Sequence, residues 1–459
     1  MTGLTMRLRT SQRDEHGIAM VMTVMIIFIA AMIVAVVLQQ GNNTERASGR
    51  GANWNDALQT ADAGVSQAVA LMQAAGGNPG NFTGQTEDGT YSVTVTHLGR
   101  RRYEIVSTGV SGNAQGLRRE RTVHVIMAPP KMFEYALFSL TDVDTKNQDI
   151  INGDVWANGS VEVEANDIVY GDVTAATGFV TMDTGALIDG DVITGGYDSA
   201  GRAMKVVTIN GSATAASTSP DCADDPGHGN YKITGGTVKK NATSWGTILS
   251  TVQGTKTPLT CVAAPATKPL PTFTYNPANY DPAPVEFSSP TAFNAYIATH
   301  KTNMQGTFYI TGGGANEPVD ITGITVTADL NIISMDAPIT ADQGTAAVAA
   351  GNTNDKVVVL VSYYTPEPNV ACSSNGGNPG DCAIGVKNSF AASDNTAMLV
   401  YAPNGPVAFK NSGDFFGAAY ANNIVMKNNQ NTTWDSRVER VVGFGPVTLE
   451  RESWVEVSD

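Results

Sequence analysis

One stretch constrains this chain more than any other: residues 18–38 carry no charge, and Thr23 is their only polar side chain. At about 1.5 Å of rise per residue, a helix of this length crosses the roughly 30 Å of a bilayer's hydrocarbon. A cleavable secretory signal has an apolar core of only about 7–15 residues, followed by a small-residue cleavage site that Leu38-Gln39-Gln40 does not supply. The sequence therefore predicts a transmembrane helix over residues 18–38.

The leader before this helix resembles that of type IV prepilins. Residues 1–17 are polar, their basic residues are arginines, and they end in Gly17 directly before the apolar run. Prepilin peptidase cuts such leaders after the glycine, so the resemblance implies a mature N-terminus at Ile18. It also implies that prepilin peptidase, other pilin-like subunits and membrane lipid are the partners of the chain.

Two later segments are similar to a narrower group. Glu45-Arg46 and WNDALQTADAGVSQAVALM at 54–72 resemble the ER…AL.AAEAG segment of proteins with a PilX-like N-terminal domain. Most major pilins carry a glutamate at the fifth mature position, where this chain has Met22, and that departure favours a minor or tip subunit. The implied location is a single pass in the cytoplasmic (inner) membrane with the bulk outside, on a pilus or the cell surface. An uncleaved signal anchor is the alternative.

Composition limits what the rest of the chain can be. The net charge of −15 opposes nucleic-acid binding, since a phosphate backbone would be repelled. The 47 glycines and the charged fraction of only 15% favour turn-rich β-structure. An even number of cysteines in an exported chain favours disulfides, and we expect the local pairings Cys222–Cys261 and Cys372–Cys382. Four reduced thiols are the alternative for a cytosolic chain.

Residues 39–128 are expected to form a small α+β headpiece. Trp54, Leu58, Ala61, Val65, Ala68 and Met72 recur at steps of three and four, which places them along one helix face. Three strand-like runs at 91–98, 103–110 and 121–127 follow, separated by glycine-containing turns. Arginines gather in those turns, where they either dock an acidic partner or lipid headgroups or are simply solvated.

A repeat begins after Pro129-Pro130. Gly153-Asp154, Gly171-Asp172 and Gly190-Asp191 each precede a valine, at spacings of 18 and 19 residues. Periods near 20 in short β-runs indicate stacked coils, with the valines inward, glycine freeing the corner backbone and aspartate bonding the turn. Residues 131–212 resemble the right-handed parallel β-helix of bactofilin-like exported solenoid domains. A β-sandwich is the alternative.

The remaining segments complete the expected architecture, which is mainly β. Residues 213–305 are rich in proline, contain two cysteines and predict an insertion with a short helix at 291–300. Residues 306–459 predict the second part of the β-helix, with the segment to Trp454 as its cap.

Enzyme signatures are absent from the sequence. GxSxG, HExxH, Walker and GxGxxG motifs do not occur, so we expect no cofactor and no catalysis. The cluster Asp221–His228 is the densest group of potential metal ligands, and a solvated loop explains it equally well. Because β-helices also host polysaccharide-cleaving enzymes, a membrane-anchored enzyme is the second hypothesis. It requires two or three carboxylates and a Lys or Arg in one groove. A surface adhesin with a surface or polysaccharide ligand is the third.

Overall fold

The computed structural model describes most of the chain, in two compact units that are treated separately below. The described residues are 15–75, 79–99, 102–111, 119–128, 131–219, 229–280, 282–342, 347–348, 356–367, 372, 381–387, 396–410, 413–439, 441–444 and 450–457. The first unit, here called the headpiece, comprises residues 1–98, 102–127 and 451–459. The second unit, here called the stack, comprises residues 99–101 and 128–450.

The headpiece contains one unbroken helix, α1, from Glu15 to Ala75. We expected a loose segment between residues 39 and 51, where three glycines each cost a helix roughly 1 kcal/mol relative to alanine. The helix continues through them because propagation adds a hydrogen bond per residue without a new nucleus. At about 1.5 Å per residue, α1 is roughly 90 Å long.

The carboxyl half of α1 packs on a five-stranded sheet, whose strands are given below in their order across the sheet. The buried face of α1 differs from the predicted one at its first position. Trp54 is 48% exposed, and the buried residues are Ala57, Ala61, Val65, Ala68 and Met72. The reason is Gly109, where an added Cβ would overlap the backbone of Ala57 and Ala61. The helix therefore approaches the sheet through its small residues. The strands are β1 (Phe82–Gln85), β2 (Gly89–Gly99), β3 (Arg102–Ser111), β4 (Arg119–Ala128) and β32 (Glu450–Val457).

Two of these five strands were not anticipated. We expected three strands and assigned the chain's last segment to a cap on the stack. The structure instead pairs β32 with β4, so the chain's last described strand completes the headpiece sheet. Its alternation of charged and apolar residues suits an exposed edge strand.

The stack is a large sheet of short strands whose successive layers pair in parallel. Its first part makes successive layers in which Leu137, Val155, Val173, Val192, Ala213, Ala242 and Lys256 are register partners. The predicted valine ladder is thus confirmed, and its three valines are at most 1% exposed. The strands are β5 (Leu137–Ser139), β6 (Val143–Asp144), β7 (Ile150–Asn152), β8 (Val155–Ala157), β9 (Val161–Val163), β10 (Ile168–Tyr170), β11 (Val173–Ala175), β12 (Val180–Met182), β13 (Leu187–Ile188), β14 (Val192–Thr194), β15 (Arg202–Ile209), β16 (Ala213–Ala215), β17 (Lys232–Val238), β18 (Ala242–Ser244), β19 (Thr251–Val252) and β20 (Lys256–Pro258).

The second part of the stack adds layers on the opposite side of the first. Val285, Phe308, Ile332, Leu360, Val400 and Ala419 are successive register partners, and Ala419 then pairs with Leu137. The six positions of this part and the seven of the first form one ladder. The strands are β21 (Val285–Phe287), β22 (Met304–Ile310), β23 (Val319–Asp320), β24 (Thr325–Ser334), β25 (Ile339–Asp342), β26 (Ala347–Val348), β27 (Lys356–Ser362), β28 (Ile384–Lys387), β29 (Thr396–Lys410), β30 (Gly413–Lys427) and β31 (Gln430–Thr433).

This order of layers gives the proline-rich segment a different role from the expected insertion. The layers continue to Pro258, and residues 259–284, here called the strap, connect β20 at one end of the ladder to β21 at the other. Ala264, Lys268 and Thr274 donate backbone N–H groups to acceptors on successive parts of the unit: Ser217, Asn158 and Gly443. Proline suits a segment that runs beside a ladder without pairing in it. Helix α2 (Pro290–His300) follows, near the predicted range, and buries Phe293 and Ile297.

Candidate functional site

The amino end of α1 is one candidate site. Gly17 and Ile18 lie in its first turn, whereas residues 1–14 of the predicted leader are outside the described residues. Residues 20–45 are long and apolar enough to cross a membrane, and the most apolar part of this segment is not buried against any other part of the described chain. Met22 is 63% exposed like its neighbours. The apolar half of α1 therefore needs lipid or partner helices to cover it.

The arginines of the headpiece turns find acidic partners within the chain. Arg121 is buried, stacks at 3.3 Å on the ring of Trp54, and places its Nε 3.2 Å from Oε1 of Glu456. Arg102 likewise pairs with Glu452 at 3.1 Å. We expected an external acidic partner or solvent for this cluster. The acidic partner of these two arginines is β32, and Arg100, Arg101 and Arg118 lie outside the described residues.

The Gly-Asp corners stack on one another. The N–H of Asp172 donates to Oδ1 of Asp154 at 2.8 Å, and that of Asp191 donates to Oδ1 of Asp172 at 2.7 Å. Each aspartate thus bonds the next layer, whereas the sequence led us to expect a bond within its own turn. Glycine is required mainly because a Cβ on Gly171 or Gly190 would overlap the carbonyl of the preceding corner glycine. Only the first corner glycine, Gly153, has a positive φ, of 142°.

A carboxylate cluster lies on β6, β9 and the corner after each of them. Nζ of Lys146 is 2.9 Å from Oδ1 of Asp144 and 2.5 Å from Oε1 of Glu164. The cluster is the combination of carboxylates and a lysine that the enzyme hypothesis requires. Sequence reasoning could not find it, because the residues are brought together by the stacking of layers.

Two buried aspartates beside this cluster have structural bonds. Asp149 accepts the N–H of Lys146 at 2.9 Å and that of Gln430 at 2.8 Å, while Asp167 accepts those of Asp149 and Glu164. Burial, opposed by those bonds and reinforced by Asp167 and Asp144, raises the pKa of Asp149 to about 7. Burial also raises the pKa of Asp167. Because both side chains are at most 1% exposed, they cannot contact a substrate from solvent.

Further sequence candidates are placed as follows. A disulfide joins Cys372 to Cys382, and Cys261 is also disulfide-bonded. Cys222 and the Asp221–His228 cluster lie outside the described residues. Within the described ranges no group of three or more His, Cys, Asp or Glu side chains is arranged to hold a metal ion.

An open cavity of about 480 Å³ lies on the headpiece sheet. Hydroxyl, amide and aliphatic groups line it, with neither a carboxylate nor a histidine among them, so it offers no acid-base pair. The lining residues are Thr83, Gly84, Gln85, Thr90, Tyr91, Ser92, Thr108 and Val110.

Comparison with known proteins gives a distant structural match. No protein-family model matches the sequence, and no curated protein matches it either. Among solved structures, the chain is similar to the competence-associated pilin ComZ from Thermus thermophilus at 12% identity, over 88% of this chain and 97% of that one. The TM-score is 0.24, which does not establish a shared fold.

Proposed function

We propose that this chain is a membrane-anchored, pilin-like subunit that presents the stack outside the membrane. The observation that carries the proposal is the division of α1. Its first half, from residue 20 to residue 38, has large apolar side chains that are 48–72% exposed, and its second half packs on the headpiece sheet. A soluble chain would not leave a continuous apolar surface of that length uncovered.

The finer proposal is a PilX-like minor or tip subunit, processed by prepilin peptidase between Gly17 and Ile18. The resemblance of the leader, the ER segment and the absence of a glutamate at Met22 support it. The partners would be prepilin peptidase, membrane lipid and other pilin-like subunits. The location would be the inner membrane during assembly, with the stack outside the cytoplasm and then on a pilus or the cell surface.

We further propose that the stack is a right-handed parallel β-helix. Its uniformly parallel register partners at spacings of 18 to 21 residues in the first layers support successive windings of one chain. Connections between parallel strands of one sheet are right-handed in about 98% of cases. An experimental map that resolves the winding direction tests this assignment, and a left-handed winding would contradict it.

For the stack itself we propose a non-enzymatic role, in adhesion or assembly. The arrangement most like a catalytic one is the Lys146 cluster. Lys146 is ion-paired with Asp144 and Glu164, and the buried aspartates beside the cluster accept hydrogen bonds from backbone N–H groups. An enzyme acting on polysaccharide is the competing hypothesis. The enzyme hypothesis would be favoured if the wild-type protein hydrolysed an acidic polysaccharide and a folded Glu164→Gln variant did not.

The test of processing is the N-terminus of the protein in its native membrane. We expect a chain that begins at Ile18, with 459 − 17 = 442 residues. Gly17→Leu should accumulate with the leader attached, because the residue before the cut is changed, whereas Thr10→Leu in the same leader should be cut normally. A wild-type chain that begins at Met1 would leave only an uncleaved anchor.

A further inference from the structure

One face of the stack carries its charges in two separate blocks. Its strands alternate buried residues, such as Phe409 and Met426, with outward residues, such as Ala408 and Lys410. Each outward residue is the register partner of one in the next layer. One resulting series is Gly385, Ala408, Val425, Asp144, Glu162, Thr181 and Lys205. The neighbouring series contains Lys387, Lys410, Lys427, Lys146, Glu164 and Asp183. Lys205, at the end of the first series, is ion-paired with Asp183 at 2.7 Å. We call these two series the charged face.

The basic block consists of lysines in successive layers. Lys410 and Lys427 are direct register partners, and the backbone of Lys387 pairs with Lys410 on the other side. Neighbouring strands are about 4.8 Å apart, and like charges directly opposite each other destabilise a sheet. No carboxylate of the described residues forms an ion pair with Lys410 or Lys427. Burial, together with the nearby Lys146 and Lys410, lowers the pKa of Lys427 by more than Asp144 and Glu164 raise it.

The acidic block lies in the adjoining layers of the same face. Asp144 and Glu162 are direct register partners, again with like charge. Glu162 is exposed and forms no ion pair with the described residues. Partial desolvation of its carboxylate on the sheet surface, together with the charge of Asp144, raises its pKa. Lys146 contacts Asp144 and Glu164 and so neutralises the boundary between the blocks. Each block therefore carries an excess of one charge.

We propose that the charged face is a self-complementary interface between two antiparallel copies of this chain. A twofold axis through the layer of Asp144 and Lys146 would bring Lys427 of each copy opposite Glu162 and Glu164 of the other, and Lys410 opposite Asp183. Such an isologous contact uses one patch twice. The small side chains of Ala408 and Val425 between the charges permit close approach. A polyanion is the less favoured occupant, since the acidic block and the net charge of −15 repel it. This inference concerns the stack and is independent of leader processing.

The test uses two variants of the full-length chain in detergent micelles. Variant A carries Lys410→Glu and Lys427→Glu, and variant B carries Glu162→Lys and Asp183→Lys. Co-purification of two differently tagged populations reports association, and circular dichroism with thermal unfolding reports folding. A control with Lys239→Glu and Lys240→Glu changes the charge as variant A does, at exposed positions outside the charged face. Association through α1 alone would be the same in all four proteins.

We expect wild type and the control to associate, at least tenfold more weakly at about 1 M salt than at about 0.1 M. Variant A by itself and variant B by itself should each associate at least tenfold more weakly than wild type. A mixture of A and B should recover it, because each altered block then meets an altered block of opposite charge. Failure of the folded mixture to recover, or equal association of all proteins, overturns the proposal. A monomeric wild type that binds dextran sulfate through Lys410 and Lys427 overturns it as well, and makes the basic block a polyanion site.

Discussion

At the scale of single residues, the stack is specified by side chains that bond the next layer. Asp154 and Asp172 accept backbone N–H groups from the following corner, and Asp149 joins two layers through its two oxygens. The glycines between them leave room for the carbonyl of the neighbouring layer. The same short sequence therefore serves as a corner and as a connection between corners.

A substitution at a corner glycine tests this close packing. Gly190→Ala places a Cβ against the carbonyl of Gly171, and we expect it to destabilise the protein by about 1–3 kcal/mol. Gly385→Ala is the matched control, because nothing lies within 4 Å of the added Cβ. Denaturant unfolding measures both. Equal stability of the two variants would show that the corners do not touch as described.

The buried Asp149 predicts a pH dependence of opposite sign to that of an ion-paired carboxylate. Its pKa is raised from 3.8 to about 7 in the folded state, chiefly by burial. Between these values the folded chain binds more protons than the unfolded chain, so Asp149 makes stability fall as pH rises from about 4 to 7. Asp149→Asn, whose side chain stays neutral at every pH, should lose much of this slope. An unchanged slope in unfolding experiments across that range would contradict the assignment.

At the scale of elements, the strap shows what the sequence could and could not predict. The valine ladder follows from the spacing of Val155, Val173 and Val192, because stacked layers repeat their inward positions. The path of residues 259–284 does not follow from any local pattern. Its contacts join residues more than a hundred positions apart, such as Asn158 and Lys268 or Tyr401 and Pro271. The fifth headpiece strand escaped prediction for the same reason.

Asn158 makes two of the hydrogen bonds that attach the strap to the rest of the stack. Asn158 donates its Nδ2 to the carbonyl of Lys268 at 2.7 Å, and its Oδ1 accepts from the Lys268 N–H and from Nε1 of Trp156. Asn158→Ala removes three hydrogen bonds and should cost about 2–4 kcal/mol. Asn404→Ala, which removes one bond from an exposed side chain, should cost under about 1 kcal/mol. If backbone hydrogen exchange in the strap is faster in Asn158→Ala and unchanged in Asn404→Ala, the loss of stability comes from the attachment of the strap.

At the scale of the whole stack, the order of layers differs from the order of the chain. The layer of β5 lies in the middle of the ladder, with β8 on one side and β30 on the other. The second part of the chain is therefore held to the first by the pairs β30–β5, β30–β6 and β31–β7, and not only by the strap. These parallel pairs bury Ala419, Leu137, Ile424 and Val143 completely.

Cutting the strap should therefore leave the stack intact. A protease site inserted between Ala266 and Thr267, both exposed, divides the chain between its two parts. A second site directly before Glu450 frees β32, whose pairing with β4 would otherwise hold the two fragments together. No disulfide bridges the cut, because Cys372 pairs with Cys382 and the other two cysteines both precede it. We expect the fragments to co-elute in native buffer and to separate in denaturant, since each would otherwise expose a strand edge at β5 or β30. Replacing Ala419 and Ala421 by aspartate should put unpaired charges into that junction and release the cut fragments, whereas aspartate at the outward Asn423 should not. Separation of the unmutated fragments in native buffer would show instead that the strap is what holds the two parts together.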